Sequence, residues 1–403
     1  MNSTLLHTPV GVRDIYGDEC KNKMIIQKKI QEIFSSYGYS DIQTPTFEFF
    51  DIFNKERGSV ASKNMYKFFD REGYTLVLRP DMTPSIARAA AKYYMDEEMP
   101  IRFCYTGNAY INNSEYQGKL KEFTQAGCEL IGDNTSDADA EVIVMVIETL
   151  IQAGLKEFQI EIGQPEFFKG LVDDAGLSSE TVEELRELLE NKKYFGVEDV
   201  LNNSDISDSK KQLFLDFQDY FGSIEMIEGL LNKDLNKRSK EALERLLKLY
   251  NILKINGMEK YVSFDLSMLS MYGYYTGIVF KAYTYGTGDA IVTGGRYDNL
   301  LKQFGKDAPA LGFAIDLDKL MIALSRQHII PEDDTSKKII LYSGEDREKA
   351  INYTKPLRSK NECVIMVRKR SNHSMDEYIS YARRHGASEI VLIGKDEPEV
   401  ITV

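Results

Sequence analysis

The side chains that most often carry metal or nucleophile chemistry are few in this sequence and widely spaced. The chain has four cysteines and four histidines, namely Cys20, Cys104, Cys128, Cys363, His7, His328, His373 and His385. No two cysteines form a CxxC pair, and no two histidines have the spacing of zinc ligands. We therefore predict no metal site, and we expect the cysteines to be reduced thiols of a cytoplasmic protein.

The charge balance does not favour nucleic acid as a partner. Among 403 residues, 50 are Lys or Arg and 63 are Asp or Glu, which gives a formal net charge of −13. Such a surface repels phosphate backbones unless it carries a local basic patch. The basic runs at 367–370 and 383–384 are short, and we interpret them as a solvated loop and a helix end.

No segment has the pattern of a signal peptide or a membrane span. Residues 1–17 lack the apolar core of a secretory signal. The longest apolar stretch, 142–151, contains Glu148 and is too short to cross a bilayer. The sequence therefore predicts a cytoplasmic protein without a membrane partner.

The first half alternates helical and strand patterns. Apolar residues at helical spacing predict a helix over 20–39, closed by Gly38. Glu72-Gly73 predicts a hairpin turn between two strands, and Thr83 with Pro84 predicts the start of a helix. Two long strands follow, joined by the polar loop 112–120, and then a helix over 136–153. Ser136 and Asp139 have the spacing of a capping box at its start.

The pattern changes twice further along the chain. Leu, Lys, Glu and Asp at helical period predict a helical subdomain inserted at about 177–253, after which strands return. The polar stretch 326–336 has the composition of a linker. Beyond it, the order strand, helix, strand, helix, strand predicts a small α/β domain at 337–403, with a capping box at Ser374 and Glu377. The larger domain is expected to span 1–325.

Six segments, in family order, resemble histidyl-tRNA synthetase. They are YGYSDIQTPTFE (37–48), LRPDMT (78–83), GNAYINNSEYQGKLKEFTQAGCELIG (107–132), GYYTGIVF (273–280), GGRYDNL (294–300) and PALGFAIDLDKL (309–320). The resemblance implies an α+β fold. Its core would be a class II aminoacyl-tRNA synthetase-like antiparallel sheet with a helical insertion, followed by the small C-terminal α/β domain. It also implies a homodimer formed through the segment around 25–50.

The resemblance fails where amino-acid activation needs positive charge. Adenylyl transfer builds charge on phosphates, and arginines supply the matching guanidinium groups. At the family's arginine positions this chain has Ile111 and Ser270, and Lys319 replaces the arginine of the third motif. Asp316 replaces a glycine of the third motif. In the second motif, Asn113 replaces the family's glutamate, and Lys119 replaces an arginine of the loop. We therefore predict no catalytic residues and no cofactor.

The amino-acid pocket of the family is better matched than its catalytic residues. The resemblance assigns a histidine-binding set to seven positions, namely Asp81, Thr83, Gln125, Glu129, Tyr274, Tyr275 and Tyr297. Carboxylate and amide oxygens would accept from the ammonium and ring N–H groups, and the tyrosines would contact the ring. Arg296 is the candidate partner for the histidine carboxylate, in place of the arginine lost at Ser270.

Lost catalysis beside a retained pocket resembles the regulatory subunit family of ATP phosphoribosyltransferase, the first enzyme of histidine biosynthesis. That resemblance implies a hetero-oligomer with a short-form catalytic subunit, which this chain would activate, and allosteric feedback by L-histidine. Two alternatives remain open, namely an active histidyl-tRNA synthetase and another synthetase paralogue with a different ligand. The first would require arginines at positions 111 and 270 and a basic anticodon-binding domain.

Overall fold

The computed structural model describes residues 6–54, 60–113, 120–269, 275–331, 337–394 and 397–403. The chain divides into two compact units, Met1–Pro331 and Glu332–Val403. Within the described residues, no helix combines the length and the apolar character needed to span a bilayer.

The first half of the larger unit begins with a long helix and continues into two sheets. Its elements are α1 (Gly17–Ser36), β1 (Ser40–Asp41), β2 (Phe47–Phe49), β3 (Lys67–Phe69), β4 (Thr75–Leu78), α2 (Thr83–Tyr93), β5 (Ile101–Tyr110), β6 (Glu122–Ile131), α3 (Ser136–Ala153), β7 (Phe158–Gly163) and α4 (Pro165–Ala175). The expected hairpin joins β3 and β4, where Gly73 has a φ of +89° that favours glycine.

The second half of this unit contains a run of helices and then returns to the sheet. Its elements are α5 (Ser179–Glu190), α6 (Tyr194–Asn202), α7 (Asp208–Leu215), β8 (Phe221–Gly222), α8 (Ile224–Leu231), α9 (Lys237–Ile255), β9 (Val262–Asp265), β10 (Val279–Thr284), β11 (Val292–Arg296), β12 (Ala310–Asp316) and α10 (Leu317–Arg326). The stretch of helices from α5 to α9 lies between β7 and β9, which pair directly in the sheet.

A nine-stranded sheet in the order β1-β5-β6-β12-β11-β10-β7-β9-β8 forms the centre of this unit. Only the β1–β5 and β7–β9 pairs are parallel. The antiparallel core confirms the predicted α+β class. Helix α3 covers one face of the sheet and packs against α1, α9 and β12. The side chains of α3 are apolar on nearly all sides of the helix. This fits its position, because α3 is buried between the sheet and other helices.

Helix α3 has the predicted bounds, but its capping residue differs from the prediction. Thr135, not Ser136, is the N-cap, and its hydroxyl accepts from the Ala138 backbone N–H at 3.2 Å. Ser, Thr and Asp are all good caps, so the run 135–139 offers several starts to the helix. Asp139 does not take part in the cap. Its side chain is completely buried and forms an ion pair with Arg296.

A separate three-stranded sheet, ordered β2-β4-β3, exposes aromatic side chains. Phe47 packs edge-on against Phe68, and Phe49 packs in the same way against Tyr74. Phe47, Phe49 and Phe69 are 54%, 51% and 73% exposed. Phe53, from the same sequence run, is fully buried.

The smaller unit comprises β13 (Lys337–Tyr342), α11 (Arg347–Ser359), β14 (Cys363–Arg368), α12 (Met375–Arg384), β15 (Ala387–Ile393) and β16 (Glu399–Thr402). Its sheet has the order β14-β13-β15-β16. The capping box at Ser374 and Glu377 is confirmed. The sequence reading missed β16, a short edge strand that pairs antiparallel with β15.

Candidate functional site

A cavity of about 740 Å³ opens on the face of the large sheet opposite α3. The registers place Gln125 of β6 opposite Asp316 of β12, and Ala314 of β12 opposite Thr293 of β11. Next in the row, Thr293 lies opposite Lys281 of β10. All five residues line the cavity. The wall is thus built from alternate residues of four neighbouring strands.

The start of α2 forms the inner end of the cavity. Asp81 is 8% exposed, and its Oδ1 accepts from the backbone N–H of Met82 at 2.7 Å. Thr83 does not cap the helix, contrary to the sequence-based prediction, because its hydroxyl donates to Glu129 Oε1 at 2.7 Å. Asp81 and Thr83 both line the cavity together with Gln125, Tyr275 and Tyr297.

Glu129 lies behind this wall and is completely buried. Its carboxylate accepts hydrogen bonds from the hydroxyls of Thr83 and Tyr297. Burial raises the pKa of Glu129 to about 8, although both hydrogen bonds act in the opposite direction. A Cβ at position 312 would lie 1.8 Å from Glu129 Oε2, so only glycine fits beside this carboxylate. Glu129 therefore positions two wall residues from the interior.

Gln125, which lies opposite Asp316 in the sheet, offers the cavity an acceptor that the described protein residues do not use. Its Oε1 is buried and has no hydrogen-bond partner among them. Buried acceptors are nearly always satisfied, so this oxygen is available to accept from water in the cavity or from a donor on a bound molecule. Of the seven predicted pocket residues, the structure brings together Asp81, Thr83, Gln125, Glu129, Tyr275 and Tyr297. Tyr274 lies outside the described residues.

The outer end of the cavity has few groups suited to phosphate. Ile111, Asn113 and Phe123 line one side, and Asp289, Asp316 and Lys319 line the other. No arginine is found among the described residues of the wall. Ser270 and Lys119, where the sequence comparison also found lost arginines, fall in the segments 270–274 and 114–119 that are not described.

Arg296 does not face the cavity, so the prediction that it replaces the lost arginine is wrong. Its Nη2 and Nε donate to Asp139 Oδ1 of α3 at 2.6 and 3.1 Å, and its side chain is 2% exposed. Alternation along β11 explains this placement. Thr293 and Tyr297 face the cavity, so Arg296 must face α3.

Sequence reasoning missed Asp289 as a cavity residue. It lies 3.5 Å from Lys319 Nζ, measured to its Oδ2. Position 289 follows the turn after β10, and only the pairing of β10 with β11 and of β11 with β12 brings it beside α10. No local motif marks it.

The comparisons with known proteins agree with this architecture. The family model of histidyl-tRNA synthetase matches residues 11–320. The ATP phosphoribosyltransferase regulatory subunit of Acetivibrio thermocellus is 43% identical over 359 residues, which is 89% of this chain and 86% of that protein. The regulatory subunit of Ruminiclostridium cellulolyticum is 42% identical over 361 residues, covering 90% of this chain and 86% of that protein.

A solved structure extends the match to nearly the whole chain. The crystal structure described as an ATP phosphoribosyltransferase regulatory subunit/histidyl-tRNA synthetase from Bacillus halodurans has a TM-score of 0.86 and 33% identity. The alignment covers 97% of this chain and 99% of that one. The core is of the synthetase type, and the relatives named above match most of the chain. The chain therefore belongs to the family of ATP phosphoribosyltransferase regulatory subunits.

Proposed function

We propose that this chain is a non-catalytic regulatory subunit that activates a short-form ATP phosphoribosyltransferase catalytic subunit and mediates feedback by L-histidine. The names of its relatives support the assembly with a catalytic partner. The observation that carries the sensor role is the inner end of the cavity. Carboxylate and hydroxyl groups line that end, and Gln125 of the same cavity wall adds an amide oxygen that has no partner among the described residues.

The outer end of the cavity supports the absence of aminoacylation chemistry. Removing one preorganised donor from a site that stabilises developing charge costs roughly 2.7–4 kcal/mol of transition-state stabilisation. Ile111 provides no donor at all, and Lys319 Nζ lies within 3.5–3.8 Å of two carboxylates. A phosphate entering here would meet neutralised or negative groups.

The inner end suits free histidine as a ligand. The ammonium and imidazole N–H groups of histidine need acceptors, which Asp81 and Gln125 present in the wall. Tyr275 and Tyr297 add aromatic surface for the ring. Glu129 holds Tyr297 and Thr83 in place from behind the wall. The seven predicted residues remain our assignment for this pocket, with Glu129 acting on the ligand through Thr83 and Tyr297.

The exposed aromatic face of the three-stranded sheet supports a homodimer. Phe47, Phe49, Phe68 and Tyr74 are each between 38% and 60% exposed, and the ring pairs Phe47–Phe68 and Phe49–Tyr74 lie on one face of this sheet. A contiguous aromatic surface of this kind is typical of a protein contact. We propose that a second copy covers it, that the chain acts in the cytoplasm without a nucleic-acid partner, and that residues 1–325 and 337–403 form its two domains.

Calorimetric titration with L-histidine tests the sensor assignment. Gln125→Met removes the unsatisfied acceptor and keeps the side-chain length, so binding should weaken by about tenfold or more, as expected for a buried hydrogen bond of roughly 1–3 kcal/mol. Gln212→Met, an exposed change in the helical region, is the matched control. Equal affinity in all three proteins would place the sensor elsewhere.

A further inference from the structure

Two features of the outer cavity would ordinarily attract phosphate. Helix α10 begins there, and the N-terminus of a helix presents free N–H groups and partial positive charge. Lys319, in the first turn of α10, adds a full positive charge. Both features line a space that is open to the inner end of the cavity.

The carboxylate of Asp316 already caps the N-terminus of α10 and lies beside the ammonium group of Lys319. It is the N-cap of α10, and its Oδ1 accepts from the Lys319 backbone N–H at 3.0 Å. Its Oδ2 lies 3.8 Å from Lys319 Nζ, and Asp289 Oδ2 lies 3.5 Å from the same nitrogen. One ammonium group is therefore shared by two carboxylates, while the helix end carries a charged cap.

Shape alone does not explain why a nucleotide would be rejected. The cavity measures about 740 Å³, much more than one amino acid fills. Its described wall contains the carboxylates of Asp81, Asp289, Asp316 and Asp318 but only two ammonium groups, those of Lys281 and Lys319. Asp318 has its own ammonium partner in Lys23 at 2.9 Å, whereas Asp289 and Asp316 share the single ammonium of Lys319, so these three groups carry a net negative charge.

We propose that Asp316, supported by Asp289, is a specificity residue that excludes nucleoside triphosphates and other polyphosphates from this cavity. The exclusion would let the inner end respond to an amino acid while ATP is abundant. This purpose rests on the proposed sensor function. The exclusion itself rests only on the charges around Lys319 and the cap of α10.

The test measures binding of sodium tripolyphosphate, and of ATP without magnesium, by calorimetry. Asp316→Asn keeps a capping oxygen for α10 and removes the charge, so the fold should be retained. We expect little binding by the wild type. We expect binding about tenfold tighter or more in the Asp289→Asn/Asp316→Asn double variant, because two repelling charges near the anion are lost.

Asp173→Asn/Asp307→Asn is the matched control, since it changes the net charge by the same amount at side chains that are 59% and 78% exposed and outside the cavity wall. The proposal is overturned if the double variant binds tripolyphosphate no better than this control, or if the wild type binds it as tightly as the double variant. Added ATP should also weaken histidine binding in the double variant and leave the wild type unchanged.

Histidine titrations on the same proteins separate the two proposals. If the wild type fails to bind histidine while the polyphosphate series behaves as expected, the sensor assignment fails and the exclusion stands. If histidine binds but the Asp289→Asn/Asp316→Asn variant binds tripolyphosphate no better than the Asp173→Asn/Asp307→Asn control, the exclusion fails and the sensor assignment stands.

Discussion

Replacing Glu129 with glutamine should change how the stability of the first unit depends on pH. Glu129 is completely buried, with Thr83 and Tyr297 as its hydrogen-bond partners. Its pKa is about 8 because burial disfavours the ionised form. Glutamine has nearly the same shape as the protonated acid and can both donate and accept, but it does not ionise.

The sign of this pH dependence follows from the direction in which the pKa of Glu129 is shifted. The folded state holds the Glu129 proton more tightly than the unfolded chain, where a glutamate has a pKa of about 4.3. Stability from this group is therefore complete below about pH 4.3 and is lost as pH rises toward about 8. Each pH unit within that window costs about 1.4 kcal/mol, so the loss between pH 5 and 7 is roughly 3 kcal/mol.

Urea unfolding at several pH values between 5 and 8 measures this directly. The chain contains no tryptophan, so far-ultraviolet circular dichroism is a suitable signal. The stability of Glu129→Gln relative to wild type should increase by about 1.4 kcal/mol per pH unit. Glu32→Gln, on the exposed side of α1, is the control and should show no such trend. A difference between Glu129→Gln and wild type that stays constant from pH 5 to 8 would refute the reasoning.

Two further predictions concern the dimer face and the buried ion pair. Phe49→Glu, on the exposed face of the three-stranded sheet, should convert a dimer to a monomer in analytical ultracentrifugation, whereas Phe195→Glu, at an 89% exposed position of α6, should not. If both variants sediment like wild type, the face is not the contact. Asp139→Asn removes the carboxylate that pairs with both Arg296 and Arg245 and leaves Arg296 only the longer ion pair with Asp298 at 3.3 Å, so it should lower the free energy of unfolding by about 3 kcal/mol in urea titrations. A loss below about 1 kcal/mol, as seen for exposed pairs, would contradict that account.

Much of the fold could be predicted because local patterns and motif order agree. The helix predicted over 20–39 is α1 at Gly17–Ser36, and the two predicted long strands are β5 and β6, paired along their full length. The cap of α3 was misplaced by one residue because Thr135 and Ser136 are equally suited to the role. Strand β16 was missed because four residues carry too little periodic signal.

The candidate site was less predictable, because it depends on which face each strand presents. Arg296 and Tyr297 are neighbours in sequence, yet one is bonded to α3 and the other lines the cavity. Glu129 was expected to touch a ligand, but the structure places it behind Thr83 and Tyr297. Asp289 joins the site only through strand pairing. These distinctions require the register of the sheet, which residue types alone do not give.

The central claim is that this chain regulates a separate catalytic subunit through histidine. The most direct measurement is the rate of ATP phosphoribosyltransferase activity of a short-form catalytic subunit, with and without this chain, over a range of L-histidine concentrations. The account predicts that adding the chain increases the rate, that histidine then inhibits it, and that the Gln125→Met complex remains active but needs about tenfold more histidine or higher. A rate that is the same with and without this chain, at every histidine concentration, would contradict the account.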